Sequence, residues 1–367
     1  MDELKQIYGK VNDLLEKLDY DSIWKGFSRK KLFLYQKDWV YSANKMFPWN
    51  EEFVGNSTIF WQNEQVAIWK IEEGTDVNDE NEMLYLAADL VHEMFHAFQM
   101  EQKEERFPND LKRLVCQEKG EDWYFEIRSN LLLTEAVNTM FEQGNHALRQ
   151  EVLLDRCMQI RLEHACMNPE LVEQIEYLET AEGMAEYAGC MALKQLSPDL
   201  FEQRIKEYAL KLVDHEYMSK NERTSAYLFG TLLLIVAKVA GFHIFHQIGE
   251  ETRSIGEGIR EQIRMDRQTQ IANYDQQFEE KEQWKKIQIE AFAHGTSKDN
   301  LEEVKGDFHI VGYDPMNMVR VNELVLCKTF IRLQKENKEM ITFFEPVLLV
   351  MKPQSENEVI GYKRKNK

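Results

Sequence analysis

Glycine and proline are scarce in this chain, at 17 and 7 of 367 residues. That rules out collagen-like, linker-like and loop-dominated architectures. The five cysteines (Cys116, Cys157, Cys166, Cys190 and Cys327) are odd in number and contain no CxxC pair. Neither a disulfide framework nor a thiolate zinc site is expected, and reduced thiols in a cytoplasmic protein fit this usage. Positive charge is in deficit: 45 Lys and Arg stand against 64 Asp and Glu, a net charge of −19. Such a chain should repel nucleic acid and anionic membrane surfaces, which need clustered cations. The N-terminus MDELKQIYGKVNDLLEKLD has no apolar signal core. The most apolar run, residues 228–242, is interrupted by Lys238 and reads as a buried helix, so no membrane span is expected. GxGxxG, P-loop and GxSxG patterns are missing as well.

What is abundant is Glu, Leu, Lys, Gln, Met and Ala, the helix formers. Leu4, Ile7, Tyr8, Val11, Leu14, Leu15 and Leu18 recur at helical spacing, which predicts a helix over 2–19. Residues 30–73 turn aromatic and β-branched, with turns at Gly55-Asn56-Ser57 and Gln62-Asn63-Glu64, and read as a small antiparallel sheet. GTDVNDENE is a polar loop in which Asp79 or Asn81 could cap the next helix. From 83 to 295 nearly everything reads as helix, ending in a long solvated helix over 266–295. HIVGY, MVRVNELVLCKTFIRL and EMITFFEPVLLVMKP then restore strand patterning, and Lys363-Arg364-Lys365-Asn366-Lys367 reads as a frayed end. The expected fold is α+β in three portions packed as one unit. Residues 1–80 hold a helix and small sheet, 81–295 a helical body, and 296–367 a β-rich portion.

The segment MLYLAADLVHEMFHAFQM carries the chemistry. His92-Glu93-Met94-Phe95-His96 is an HExxH pattern, and helical spacing puts both imidazoles on one face, in reach of one ion. Glu93, beside the first His, can work as a general base without ligating the metal. By chance the pattern turns up in roughly one chain in a hundred of this length. Here it lies among Leu84, Leu86, Leu90, Val91, Phe95 and Phe98, where His and Glu are costly unless paired or metal-bound. Catalytic zinc takes three protein ligands and leaves one position open. A third ligand is therefore sought downstream, in the segment Glu179–Tyr187 (ETAEGMAEY), with Glu135 in LLLTEAVNTM and Glu179 as alternatives to Glu182.

HExxH followed by a later Glu-bearing helix resembles the gluzincin class of zinc metallopeptidases. Residues 181–187 are similar to the NEGFA-type sequence of its aminopeptidase branch. The resemblance covers about a tenth of the chain. It implies zinc held by His92, His96 and Glu182, a water activated by Glu93, and a peptide or protein substrate. Glu186, four residues after Glu182, implies an acceptor that orients a ligand histidine, a need any ligand imidazole has. Asp89 departs from the family pattern, where Val or Thr is usual. The class often adds a Tyr or His that stabilises the oxyanion. Tyr187, His294, His309 and Tyr313 are candidates, with Tyr313 favoured by its Gly- and Pro-flanked loop. His164 in RLEHAC is a structural histidine in this reading. The resemblance also implies an extended substrate added to a sheet edge, for which Gln65–Trp69 is the candidate strand. A helical binding module with a structural metal site, or a zinc hydrolase for a non-peptide substrate, are the other readings.

Overall fold

The computed structural model describes residues 2–43, 45–116, 120–142, 147–243, 248–262, 275–294, 301–353 and 355–365. The first helix, α1 (Asp2–Leu15), buries Leu4, Ile7, Val11 and Leu15, the stripe its periodicity predicts. After the short α2 (Tyr20–Ile23) come β1 (Leu32–Gln36), β2 (Trp39–Ser42), β3 (Lys45–Pro48), β4 (Ser57–Trp61) and β5 (Glu64–Lys70). They form one sheet in the order β3-β2-β1-β5-β4.

That sheet is mixed, not purely antiparallel: β1 and β5 pair in parallel, Leu32 opposite Ala67 and Leu34 opposite Trp69. The 27 residues between them are long enough for the crossover a parallel pair requires. The same crossover moves Gln65–Trp69 away from the edge. β5 lies between β1 and β4, and Val66, Ala67 and Ile68 are buried. The edge beside it is β4, whose Phe60 is 65% exposed.

The helical body begins with α3 (Glu80–Glu101), capped as expected by Asp79, whose side chain accepts from the backbone N–H groups of Asn81 and Glu82. It continues through α4 (Asp110–Val115), α5 (Gly120–Thr139), α6 (Ala147–Met167), α7 (Pro169–Leu196), α8 (Pro198–Val213), α9 (His215–Lys220), α10 (Glu222–Val239), α11 (Ile255–Arg260) and α12 (Asp275–His294). The expected helix over 266–295 is seen as α12; its first residues fall outside the described ones. The apolar run 228–242 supplies most of α10, buried from Leu228 to Ala237 as a core helix. Among the described residues no helix is long and apolar enough to cross a membrane.

One core runs from α1 through α3, α7, α8 and α10. Within it, α7 and α10 meet backbone to backbone at glycines. A Cβ placed on Gly183 would lie 2.7 Å from the Cα of Gly230, and one on Gly230 would lie 2.0 Å from the carbonyl oxygen of Glu179. Gly189 does the same against α3, with the carbonyl oxygen of Ala88 at 2.7 Å. Only glycine permits such approaches.

The last portion is a seven-stranded antiparallel sheet: β6 (Leu301–Tyr313), β7 (Met318–Val321), β8 (Leu324–Cys327), β9 (Ile331–Lys335), β10 (Met340–Phe343), β11 (Val347–Met351) and β12 (Glu358–Lys365). Its order is β10-β9-β6-β12-β11-β8-β7. The α+β expectation therefore holds, but the basic tail is not frayed throughout. Residues 363–365 complete β12, where Arg364 donates to Glu302 at 2.6 Å and Lys363 stands 3.3 Å from Glu303. Cross-strand charge pairing offsets the repulsion that made the run look solvated.

Candidate metal centre

α3 presents His92 and His96 from one face, and α7 crosses it so that Glu182 meets them. The two Nε2 atoms stand 3.0 Å apart, and Glu182 Oε2 lies 3.0 Å from His96 Nε2 and 3.6 Å from His92 Nε2. These are the three residues among those described whose ligand atoms converge within 4.8 Å. The side chains are nearly buried, 12% exposed for each histidine and 11% for Glu182.

Each imidazole is oriented through its other nitrogen. His92 Nδ1 lies 2.8 Å from Glu186 Oε2, and His96 Nδ1 lies 2.7 Å from Gln99 Oε1. Gln99 in turn donates to the carbonyl of Ala181 at 3.0 Å, tying α3 to α7 beside the site. Acceptors at both Nδ1 atoms favour the Nδ1–H tautomer and leave two Nε2 lone pairs and a carboxylate aimed at one point. Two facing lone pairs repel unless a proton or a cation lies between them. The donor set therefore fits a metal ion: two imidazoles and a carboxylate, with their outer partners in place.

Both carboxylates of the EGMAE segment are held in the same manner, by an arginine and a tyrosine four residues apart on a neighbouring helix. On α10, Arg223 donates from Nη2 to Glu182 Oε1 at 2.8 Å and from Nε to the Tyr227 hydroxyl at 3.1 Å, and its Nη1 bonds Asp110. On α8, the Tyr208 hydroxyl donates to Glu186 Oε1 at 2.5 Å and Arg204 Nη1 stands 3.6 Å from the same oxygen. Arg204 Nη2 reaches Asp89 at 2.9 Å, so the aspartate that departs from the family pattern has a structural partner.

The electrostatics follow from these contacts. Burial works against the Glu182 anion, but His96, His92 and Arg223 outweigh it and hold the carboxyl well below the usual range. Burial likewise opposes the Glu186 anion, and the His92 hydrogen bond and charge, with Arg204 and Tyr208, bring it down to about 2. His92 is raised well above the ordinary value: burial pulls it down, and Glu182 and Glu186 more than compensate. Glu93 is raised, chiefly by burial, with His92 and His96 opposing and Glu182 and Asp89 adding to the rise. Among the described residues its carboxylate has no hydrogen-bond partner, although it sits one residue from His92.

The rival ligands lie elsewhere. Glu135 is exposed and paired with Arg149 at 3.0 Å. Glu179 points to α6, where Arg161 Nη2 donates to both its oxygens at 2.6 Å. Of the oxyanion candidates, Tyr313 ends β6 half-buried. It packs against the core of the C-terminal sheet, and burial is the main cause of its raised phenol, with Asp110 adding and Arg223 opposing. The Tyr187 hydroxyl accepts from Lys238 at 2.8 Å in the core. His309 is exposed on β6, and the side chain of His294 is outside the described residues. His164 is a core residue, 2.9 Å from Asp122 and stacked on Phe125. The residue overlooked is Tyr227. Its ring centroid is 6.1 Å from that of His92, and its phenol, raised mainly by burial and then by Glu182, faces the site. The signal was Arg223 and Tyr227 at i,i+4 on an otherwise apolar helix.

No protein-family model, curated protein or solved structure matches this chain.

Proposed function

We propose that this protein is a zinc-dependent peptidase of the gluzincin kind, hydrolysing peptide bonds by attack of a water. The observation that carries the reading is the convergence of His92 Nε2, His96 Nε2 and Glu182 Oε2 beside a buried carboxylate, Glu93, that has no hydrogen-bond partner among the described residues. Zinc is the metal best suited to two imidazoles and one carboxylate with an open position, and when bound it lowers the pKa of a water and polarises a carbonyl.

The chain's own residues supply the rest. His92, His96 and Glu182 hold the ion. Glu186 and Gln99 fix the two imidazoles, and Arg223 confines Glu182 so that one oxygen, Oε2, faces the histidines. Glu93 takes the proton of the attacking water and delivers it to the departing amine. Its raised pKa suits both halves of that task, because a base of higher pKa takes the proton more readily and its conjugate acid still holds it for the second step. Tyr227, on the same side as His92, is better situated than Tyr313 to donate to the developing oxyanion. The edge strand β4 replaces Gln65–Trp69 as the edge to which an extended substrate would add.

The test is cleavage of a mixed peptide library by metal-loaded wild type and Glu93→Gln. Glu93 makes no hydrogen bond that the amide would break, so the variant should fold and bind zinc. It should lose about 10²–10⁴-fold in kcat, the usual contribution of a positioned acid–base group. Wild-type cleavage that survives in Glu93→Gln, or a well-folded wild type that takes up no zinc, would overturn the proposal.

A further inference from the structure

Apart from the metal centre, the helical body and the C-terminal sheet border a partly open cavity of about 840 Å³ between α5, α7, α9, α10, α12 and β7 with the turns beside it. That is the size of a site for a small organic molecule. For a chain of net charge −19, its wall is unexpectedly cationic. Two of the carboxylates in the wall, Glu179 and Glu222, are engaged by its cations. Glu179 is bonded by Arg161, and Glu222 stands 3.0 Å from Lys285 and 3.6 Å from Arg113.

Two cations are not neutralised in this way. Lys328 and Arg320 form no ion pair among the described residues: Lys328 Nζ lies over the Trp284 ring, 5.3 Å from its centroid, and Arg320 Nε donates only to the carbonyl of Asn322, at 2.8 Å. Burial lowers both from their usual values, with the neighbouring Glu323 carboxylate partly opposing the fall for Arg320 and only burial acting on Lys328. A third donor, Arg113 Nε, is buried with no hydrogen-bond partner among the described residues. Buried donors of this kind are normally satisfied, and a missing acceptor points to a bound group. Phe229, Leu178 and Met218 supply an apolar floor.

We propose that this cavity binds a small organic anion of the phosphate or carboxylate class, its charged group taken by Arg320 and Lys328 and its apolar body laid against Phe229 and Met218. The metal ligands do not line the cavity, but Arg223 does, so an occupant would border the arginine that holds Glu182.

The test is isothermal titration calorimetry of the metal-loaded full chain with phenyl phosphate, benzoate and inorganic phosphate. The double variant Arg320→Ala/Lys328→Ala and the remote surface variant Lys25→Ala run beside wild type. Wild type and Lys25→Ala should bind phenyl phosphate or benzoate. The double variant should bind it at least about tenfold more weakly, because it can no longer make two charge-assisted hydrogen bonds to the anion. Binding of phenyl phosphate but not benzoate would place the ligand in the phosphate class, and the reverse in the carboxylate class. Circular dichroism and melting of the double variant guard against unfolding. If wild type binds none of the three at millimolar concentration, or binds them no more tightly than a folded double variant does, the proposal is wrong. The second of those results would locate the anion on the metal.

Discussion

Replacing Glu182 by glutamine separates a ligand from its scaffolding. The carboxylate has two duties: Oε1 accepts from Arg223 at 2.8 Å, and Oε2 stands 3.0 and 3.6 Å from the two histidine Nε2 atoms. An amide oxygen can still accept from Arg223, and Asp110 remains bonded to that guanidinium, so no buried charge is left without a partner. The fold should survive with a melting temperature close to that of wild type. What is lost is the only anionic donor of the set. Removing an outer partner of a ligand histidine typically costs 10–100-fold in metal affinity. Glu186→Gln should fall in that range, because Glu186 bonds His92 and does not face the ion. Glu182→Gln should therefore lose more than about 100-fold, measured by competition against a chromogenic zinc chelator in a metal buffer. Equal losses in the two variants, or a Glu182→Gln protein that keeps wild-type affinity, would refute the assignment of these two glutamates to inner and outer positions.

Other outcomes follow from particular contacts. Glu186 has a folded pKa of about 2 against an ordinary 4.5, so its contribution to stability is full above pH 4.5 and is lost as pH falls toward 2. In the metal-free protein this amounts to roughly 3 kcal/mol, and acid titration of Glu186→Gln should show a shallower decline. Gly230→Ala would drive a methyl into the Glu179 carbonyl and should destabilise by at least about 1–3 kcal/mol, read as a drop in Tm. Burial pushes the Cys157 and Cys327 thiols up to about 12, while Cys166 is exposed. An aromatic disulfide reagent at pH 8 should modify Cys166 quickly in the native protein and leave Cys157 and Cys327 until denaturant is added.

The helix of the candidate metal site was legible because four-residue spacing is a local property: His92 and His96 share a face in any helix. Glu182 and Glu186 came instead from the resemblance to the gluzincin class, with Glu135 and Glu179 open as rivals to Glu182; the residues alone did not choose among them. What escaped is what other helices bring. Arg204 with Tyr208, and Arg223 with Tyr227, look in the sequence like ordinary polar turns; only the crossing of α8 and α10 over α7 aims them at the two glutamates. Gln99 reads as one more helix former until its amide is found bridging His96 and Ala181. Strand positions failed for a related reason. Period-two patterning marks 64–70 as a strand, but whether it lies at an edge depends on its pairing with β1, a strand remote in the chain. The tail was misjudged because its charge was weighed without the facing Glu302 and Glu303.

The glycine contact between α7 and α10 sets how such a protein can diverge. Where helices are spaced by side chains, a substitution moves them, and neighbours drift to compensate. Here backbone touches backbone at Gly183 and Gly230, one residue and seven residues from Glu182 and Arg223 respectively. The separation of the carboxylate from its arginine is thus pinned at a hard stop that no repacking can shorten and no larger residue can occupy. Descendants of this sequence are free to remodel the sheets and the cavity wall, and so to change what they recognise. The spacing at the candidate metal site will pass unaltered through those changes for as long as both glycines persist.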